Sequence, residues 1–105
     1  MKTIISSTGN NAASPFDLRF GRAGWFCLLD EETGQTSYFK NEYQDTGHGA
    51  GIRAAEKAIE LGATKVISGD FGPKAKELLD KFNIQMVILT DDTRTIHDIV
   101  HKIRN

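Results

Sequence analysis

The spacing of apolar residues changes partway along the chain. Before residue 41 they cluster in short runs; beyond residue 51 they recur every three or four positions. Residues 2–7 (Lys-Thr-Ile-Ile-Ser-Ser) predict a first strand rich in β-favouring side chains. Residues 8–17, with Gly9, Asn10, Asn11 and Pro15, read as a polar loop. Residues 24–30 and 35–40 predict a second and a third strand. The short turn Glu31-Glu32-Thr33-Gly34 between them makes the pair an antiparallel hairpin. Ile52, Ala55 and Ile59 then fall on one face of a helix over residues 52–61, which Gly62 ends. Residues 65–68 form a short apolar strand. Pro73 suits the first turn of a second helix, whose inner face is Ala75, Leu78, Leu79 and Phe82. Residues 86–89 predict a fifth strand, with the uninterrupted apolar run of a strand covered on both faces. Ile96, Ile99, Val100 and Ile103 give a third helix.

The element order is therefore βββαβαβα in one α/β domain spanning residues 1–105. The βαβ crossovers default to the right hand. With strands one to three as a meander and strands four and five parallel to strand one, the mixed five-stranded sheet takes the order 3-2-1-4-5, the arrangement of the ribonuclease-H-like group. That topology gathers residues 8–22, 41–50, 69–72 and 91–93 on one rim. Ligands of open α/β sheets bind at such an edge, near the switch point between strands one and four.

Composition narrows the function. A chain of 105 residues with 39% hydrophobic and 26% charged residues suits a soluble globular domain. The net charge of −1 lacks the basic excess of a general nucleic-acid binder. No apolar run is long enough for a membrane span, and the start lacks a signal-peptide core, so a cytoplasmic location is expected. The single cysteine, Cys27, excludes an internal disulfide and a Cys-rich zinc or iron–sulfur site within one chain. Its place between Phe26 and Leu28 reads as a buried small hydrophobe.

Candidate chemistry sits on the rim. In Thr46-Gly47-His48-Gly49-Ala50-Gly51 a histidine lies within a glycine run that opens a helix. Glycines let a backbone approach a ligand closely, and the free N–H groups of a first helical turn favour an anion. The alternative is a loop histidine among turn glycines. Ser68-Gly69-Asp70-Phe71-Gly72-Pro73 is either a second anion-binding turn or ordinary strand-to-helix turn chemistry. In Asp17-Leu18-Arg19-Phe20-Gly21-Arg22, Arg19 and Arg22 either clamp an anion or are solvated loop charges with Phe20 as an anchor. His97 and His101 share a helix face four residues apart. No third ligand accompanies them, so they read as a solvated face. Neither a phosphate-binding P-loop nor a catalytic set emerges, and the first strand lacks the carboxylate that ribonuclease-H-type nucleases need.

The segments Arg19-Phe20-Gly21-Arg22-Ala23, Asn41, His48-Gly49-Ala50-Gly51-Ile52 and Ser68-Gly69-Asp70-Phe71-Gly72-Pro73-Lys74-Ala75 together resemble the dinitrogenase iron–molybdenum cofactor biosynthesis family. The resemblance covers nearly the whole chain. It implies a ribonuclease-H-like α/β fold and, for some members, noncovalent binding of anionic metal–sulfur clusters. It carries family motifs onto Arg19, Gly21 and Arg22, onto His48, Gly49 and Gly51, and onto Gly69, Gly72 and Pro73. Where several cofactor-carrying members have His-Phe-Gly, this chain has Arg19-Phe20-Gly21, and arginine cannot ligate a metal.

The expected function is that of a small non-enzymatic protein holding a labile, noncovalently bound Fe/Mo–sulfur cluster or related anion. Arg19 and Arg22 would supply charge, and Gly21 and the turns at Gly47, Gly49, Gly51, Gly69 and Gly72 would supply close approach and N–H donors. His48 would be the metal ligand. Partners would be cluster donor or acceptor proteins, with no nucleic acid or membrane. The alternatives are a protein-interaction module and a small-anion sensor. The free edge of residues 35–40 is a candidate pairing edge, blunted by Lys40.

Overall fold

A computed structural model describes residues 1–104. The strands are β1 (Lys2–Ser7), β2 (Trp25–Asp30), β3 (Thr36–Lys40), β4 (Lys65–Ser68) and β5 (Gln85–Ile88), and the helices are α1 (Ala50–Glu60), α2 (Pro73–Lys81) and α3 (Ile96–Arg104). The sheet order is β3-β2-β1-β4-β5, as the hydrophobic pattern predicts. β1 is central. It runs antiparallel to β2, with Ile5 opposite Cys27, and parallel to β4, with Ile5 beside Ile67.

The two-residue period of a strand sorts the apolar side chains into two cores. Ile4, Phe26, Val66 and Met86 face α1 and α2 in one cluster. Ile5, Cys27, Ile67 and Val87 face α3 in the other. α1 presents Ala54, Ala55 and Ala58 to the core, and α2 presents Ala75 and Leu79. α3 covers the opposite face with Ile96 and Ile99. Within the loop after β1, Phe16 and Phe20 are each 1% exposed and fall on opposite faces of the sheet. Burying such a ring stabilises by about 2 kcal/mol, which fixes the loop before any polar contact is considered.

Two expectations change. α1 begins at Ala50 rather than residue 52, because Gly49 takes the left-handed conformation (φ 75°) and turns the chain directly into the helix. β5 packs on both cores, but only in part. It ends the sheet with β4 as its one neighbour, and Ile88 is 65% exposed. The apolar run there reflects half-buried Met86, Val87 and Leu89 packing alternately on the two cores.

Candidate functional site

The loops expected to share a rim do so, and specific contacts join them. Asn41, buried at the end of β3, donates from Nδ2 to the carbonyls of Gly21 and Ala23, each at 2.9 Å. Its Oδ1 accepts the Tyr43 N–H at 3.1 Å. One amide thus fastens the arginine–glycine turn to the loop that carries His48. Gly21 packs against the start of α1: a Cβ there would lie 2.6 Å from the Gly51 nitrogen and 2.8 Å from its Cα. Only glycine allows that approach. Arg19 and Asp70 form a backbone bridge that brings the turn after β4 alongside.

The product is a shallow open depression of about 460 Å³. Its walls hold Gly21, Arg22, Gly47, His48, Gly49 and Gly51 from one side, with Asp70, Phe71 and Gly72 from the other. Gly49 is the N-cap residue of α1 and Gly72 that of α2. Neither helix has a side-chain cap or an acidic residue in its first turn. The first N–H groups of a helix have no intrahelical acceptor, and the helix dipole adds partial positive charge at that end. Two such ends lead into one depression. Gly47 and Gly72 have open space where a Cβ would be, and neither has positive φ. The fold therefore tolerates a side chain at both positions, and the missing side chains leave the backbone open to approach.

The structure gives the arginines other work. The Arg19 guanidinium is bonded bidentately to Asp17, Nε to Oδ1 and Nη2 to Oδ2, both at 3.1 Å. These bonds raise its pKa above the ordinary arginine value, with Asp17 as the main cause and Asp70 a lesser one. Asp17 is buried and neutralises the charge, and Arg19 does not line the depression. Arg22 does line it, but its Nη1 donates to the carbonyls of Gln44, at 2.9 Å, and Thr46. Arg22 holds the His48 loop in place while keeping its positive charge at the site. Gly69 lies outside the depression and is a packing position, since a Cβ there would come within 2.6 Å of the Leu18 carbonyl oxygen. The sequence offered a signal for the Asp17 pairing, because the carboxylate stands two residues before Arg19. Asp70 was the missed wall residue, although it sat inside the glycine turn.

The donor set defines what fits. His48 is exposed on the depression. Among the described residues no group of three or more His, Cys, Asp or Glu could hold a metal ion. Cys27 is 0% exposed in the core under α3, and burial pushes its thiol up to about 11. No thiolate is offered. The residues do not fit a bare metal ion, which needs several protein ligands. They offer backbone N–H groups suited to an anion, with one exposed imidazole among them. His97 and His101 lie exposed with stacked rings, centroids 6.1 Å apart, in keeping with a solvated face. A second hollow of about 500 Å³ lies between β3 and α1. Two of the three cations on its walls are already placed: Arg53 lies over the Tyr43 ring and beside Glu56, and Lys57 lies over Phe39 and beside Glu60.

A family model described as dinitrogenase iron–molybdenum cofactor matches residues 1–105. The apo form of the orange protein from Desulfovibrio gigas is similar, with 30% identity over 97% of this chain and 85% of that one and a TM-score of 0.89. A Thermotoga protein described as of NifB type and of the DUF35 family is similar in fold, at 24% identity over 97% of this chain and 85% of that one, with a TM-score of 0.82. No curated protein sequence matches the chain. Among the described residues no helix is long and apolar enough to cross a membrane.

Proposed function

The chain belongs to the dinitrogenase iron–molybdenum cofactor family, and on that premise we propose that it is a non-catalytic cytoplasmic carrier of an anionic metal–sulfur cluster. The observation that carries this reading is the convergence of two uncapped helix N-termini, His48 and the Arg22 charge on one open depression. Backbone N–H groups would hold the sulfide or oxo atoms of the cargo, and His48 would meet one of its metal atoms. The cargo arrives preassembled, because the site has no thiolate with which to build a cluster. A single imidazole and noncovalent contacts make the complex labile, as transfer between a donor and an acceptor protein requires. Similarity to an orange protein solved in an apo form supports a group that can leave.

The test is anaerobic reconstitution with iron, molybdate and sulfide, followed by metal analysis and a visible spectrum. Wild type should retain stoichiometric metal with a charge-transfer band. His48→Ala should lose most of it, about tenfold in affinity, the scale seen when a metal site's supporting groups are removed. A colourless, metal-free wild type overturns the reading and leaves a protein-interaction module.

A further inference from the structure

The depression contains one group that an anion site should not have. Asp70 is exposed on its wall, in the turn between β4 and α2. Its backbone is pinned by the bridge to Arg19. Its carboxylate accepts no hydrogen bond among the described residues and does not cap α2, which starts three residues on. Arg19 feels the Asp70 charge, but its guanidinium is bonded to Asp17 through Nε and Nη2, so its interaction with Asp70 is the lesser one. A negative charge that Arg19 only partly offsets therefore shares the depression with two helix N-termini and His48. It opposes any ligand that is anionic over its whole surface.

We propose that Asp70 is the specificity-determining residue of this site, selecting a cargo that carries a coordinatively unsaturated metal centre within an anionic sulfide or oxo shell and discriminating against closed-shell oxyanions. The inference rests on the carrier reading of the depression. A carboxylate oxygen and an imidazole nitrogen are both good donors to divalent first-row metals. Two donors are too few to hold a free ion. They are enough to complete the open positions of a metal that already bears sulfide. The wall thus has two chemistries: backbone N–H groups for the anionic atoms, and His48 with Asp70 for the electropositive one.

The experiment compares wild type, Asp70→Asn and Asp70→Glu by equilibrium dialysis against two probes. One is molybdate alone, a closed tetrahedral oxyanion, and the other is the species formed anaerobically from iron, molybdate and sulfide. Far-UV circular dichroism checks that each variant is folded. Asp70→Asn should bind molybdate about threefold tighter, as loss of an exposed like charge implies, and should retain the iron-containing species about tenfold less well, with a shifted charge-transfer band. Asp70→Glu, which keeps the carboxylate, should recover most of the iron-species binding. Tighter binding of both probes by Asp70→Asn would show that the carboxylate only repels, and unchanged binding of both would show that it is idle. Either result overturns the inference while the carrier reading stands. Failure of wild type to take up either probe overturns both together.

Discussion

At the start of α3, Thr95 and Asp98 satisfy each other. The Thr95 hydroxyl accepts the Asp98 N–H at 3.2 Å, and the Asp98 carboxylate accepts the Thr95 N–H at 3.0 Å. Those bonds to Thr95, the backbone one foremost, hold the Asp98 carboxyl below the usual carboxylate range. At the starts of α1 and α2 a glycine stands where Thr95 would be, and no acidic residue follows in the first turn. The same chain thus knows how to close a helix end and closes one of three. The closed end joins the loop from β1, where the His97 N–H meets the Ala12 carbonyl at 2.8 Å. The open pair share the depression that holds His48. Capping by side chains is worth about 1 kcal/mol per helix against alanine and about 0.3 kcal/mol against the glycines found here. Leaving two ends uncapped sacrifices stability at one place on the molecule, as expected where a ligand supplies the missing acceptors.

The largest expected effect comes from breaking the wall that sets the two open ends side by side. Gly21→Ala drives a Cβ into the backbone of Gly51 and Ala50, where no flexible side chain can yield. The expected cost is about 3 kcal/mol, at the upper end of overpacking penalties, read as a lowered urea midpoint. Any variant that folds should have lost the iron-species binding. A Gly21→Ala protein of wild-type stability would show that the arginine–glycine turn does not brace α1.

How much of this was legible beforehand follows from the range of each interaction. The strands and the sheet order were readable, because two-residue and 3.6-residue periods are local and the short turn at residues 31–34 forces a hairpin. The rim followed from topology alone. What the sequence did not disclose was which charges remain free. Arg22 is spent on the carbonyls of Gln44 and Thr46, more than twenty residues away, and main-chain acceptors have no residue-type signature. The glycines were equally ambiguous. Gly21 and Gly69 serve close packing and Gly49 serves a positive φ, whereas Gly47 and Gly72 meet nothing. Only the folded chain separates a glycine the fold needs from one it does not. The capping contrast itself was in plain sight: Thr95-Ile96-His97-Asp98 has the spacing of a capping box, and neither glycine-led helix does.

Removing the closed cap is the next smaller effect. Thr95→Ala deletes the hydroxyl that accepts the Asp98 N–H and should cost about 1 kcal/mol in urea unfolding. Cluster uptake should be unchanged, since α3 lies across the sheet from α1 and α2. Loss of uptake in this variant would mean that the two regions are coupled and that the contrast between them is not a division of labour.

Adding a cap where the chain omits one is the smallest change in stability and the sharpest test of what the omission is for. Gly72 has ordinary extended geometry (φ −62°, ψ 158°) and free space at its Cβ, so Asp and Asn both fit without strain. Either side chain can accept from the first-turn N–H groups of α2. Relative to glycine the gain is about 0.3 kcal/mol, visible as a slightly raised urea midpoint. The same acceptor then occupies the donors that the cargo would use. Gly72→Asp should therefore be marginally more stable and bind the iron–molybdenum–sulfide species about tenfold less well, the carboxylate adding repulsion to competition. Gly72→Asn removes the repulsion and keeps the competition, so its binding should fall between Gly72→Asp and wild type. If both variants gain stability and bind as wild type does, the α2 N-terminus is open for no ligand, and the cargo contacts belong to α1 and His48 alone.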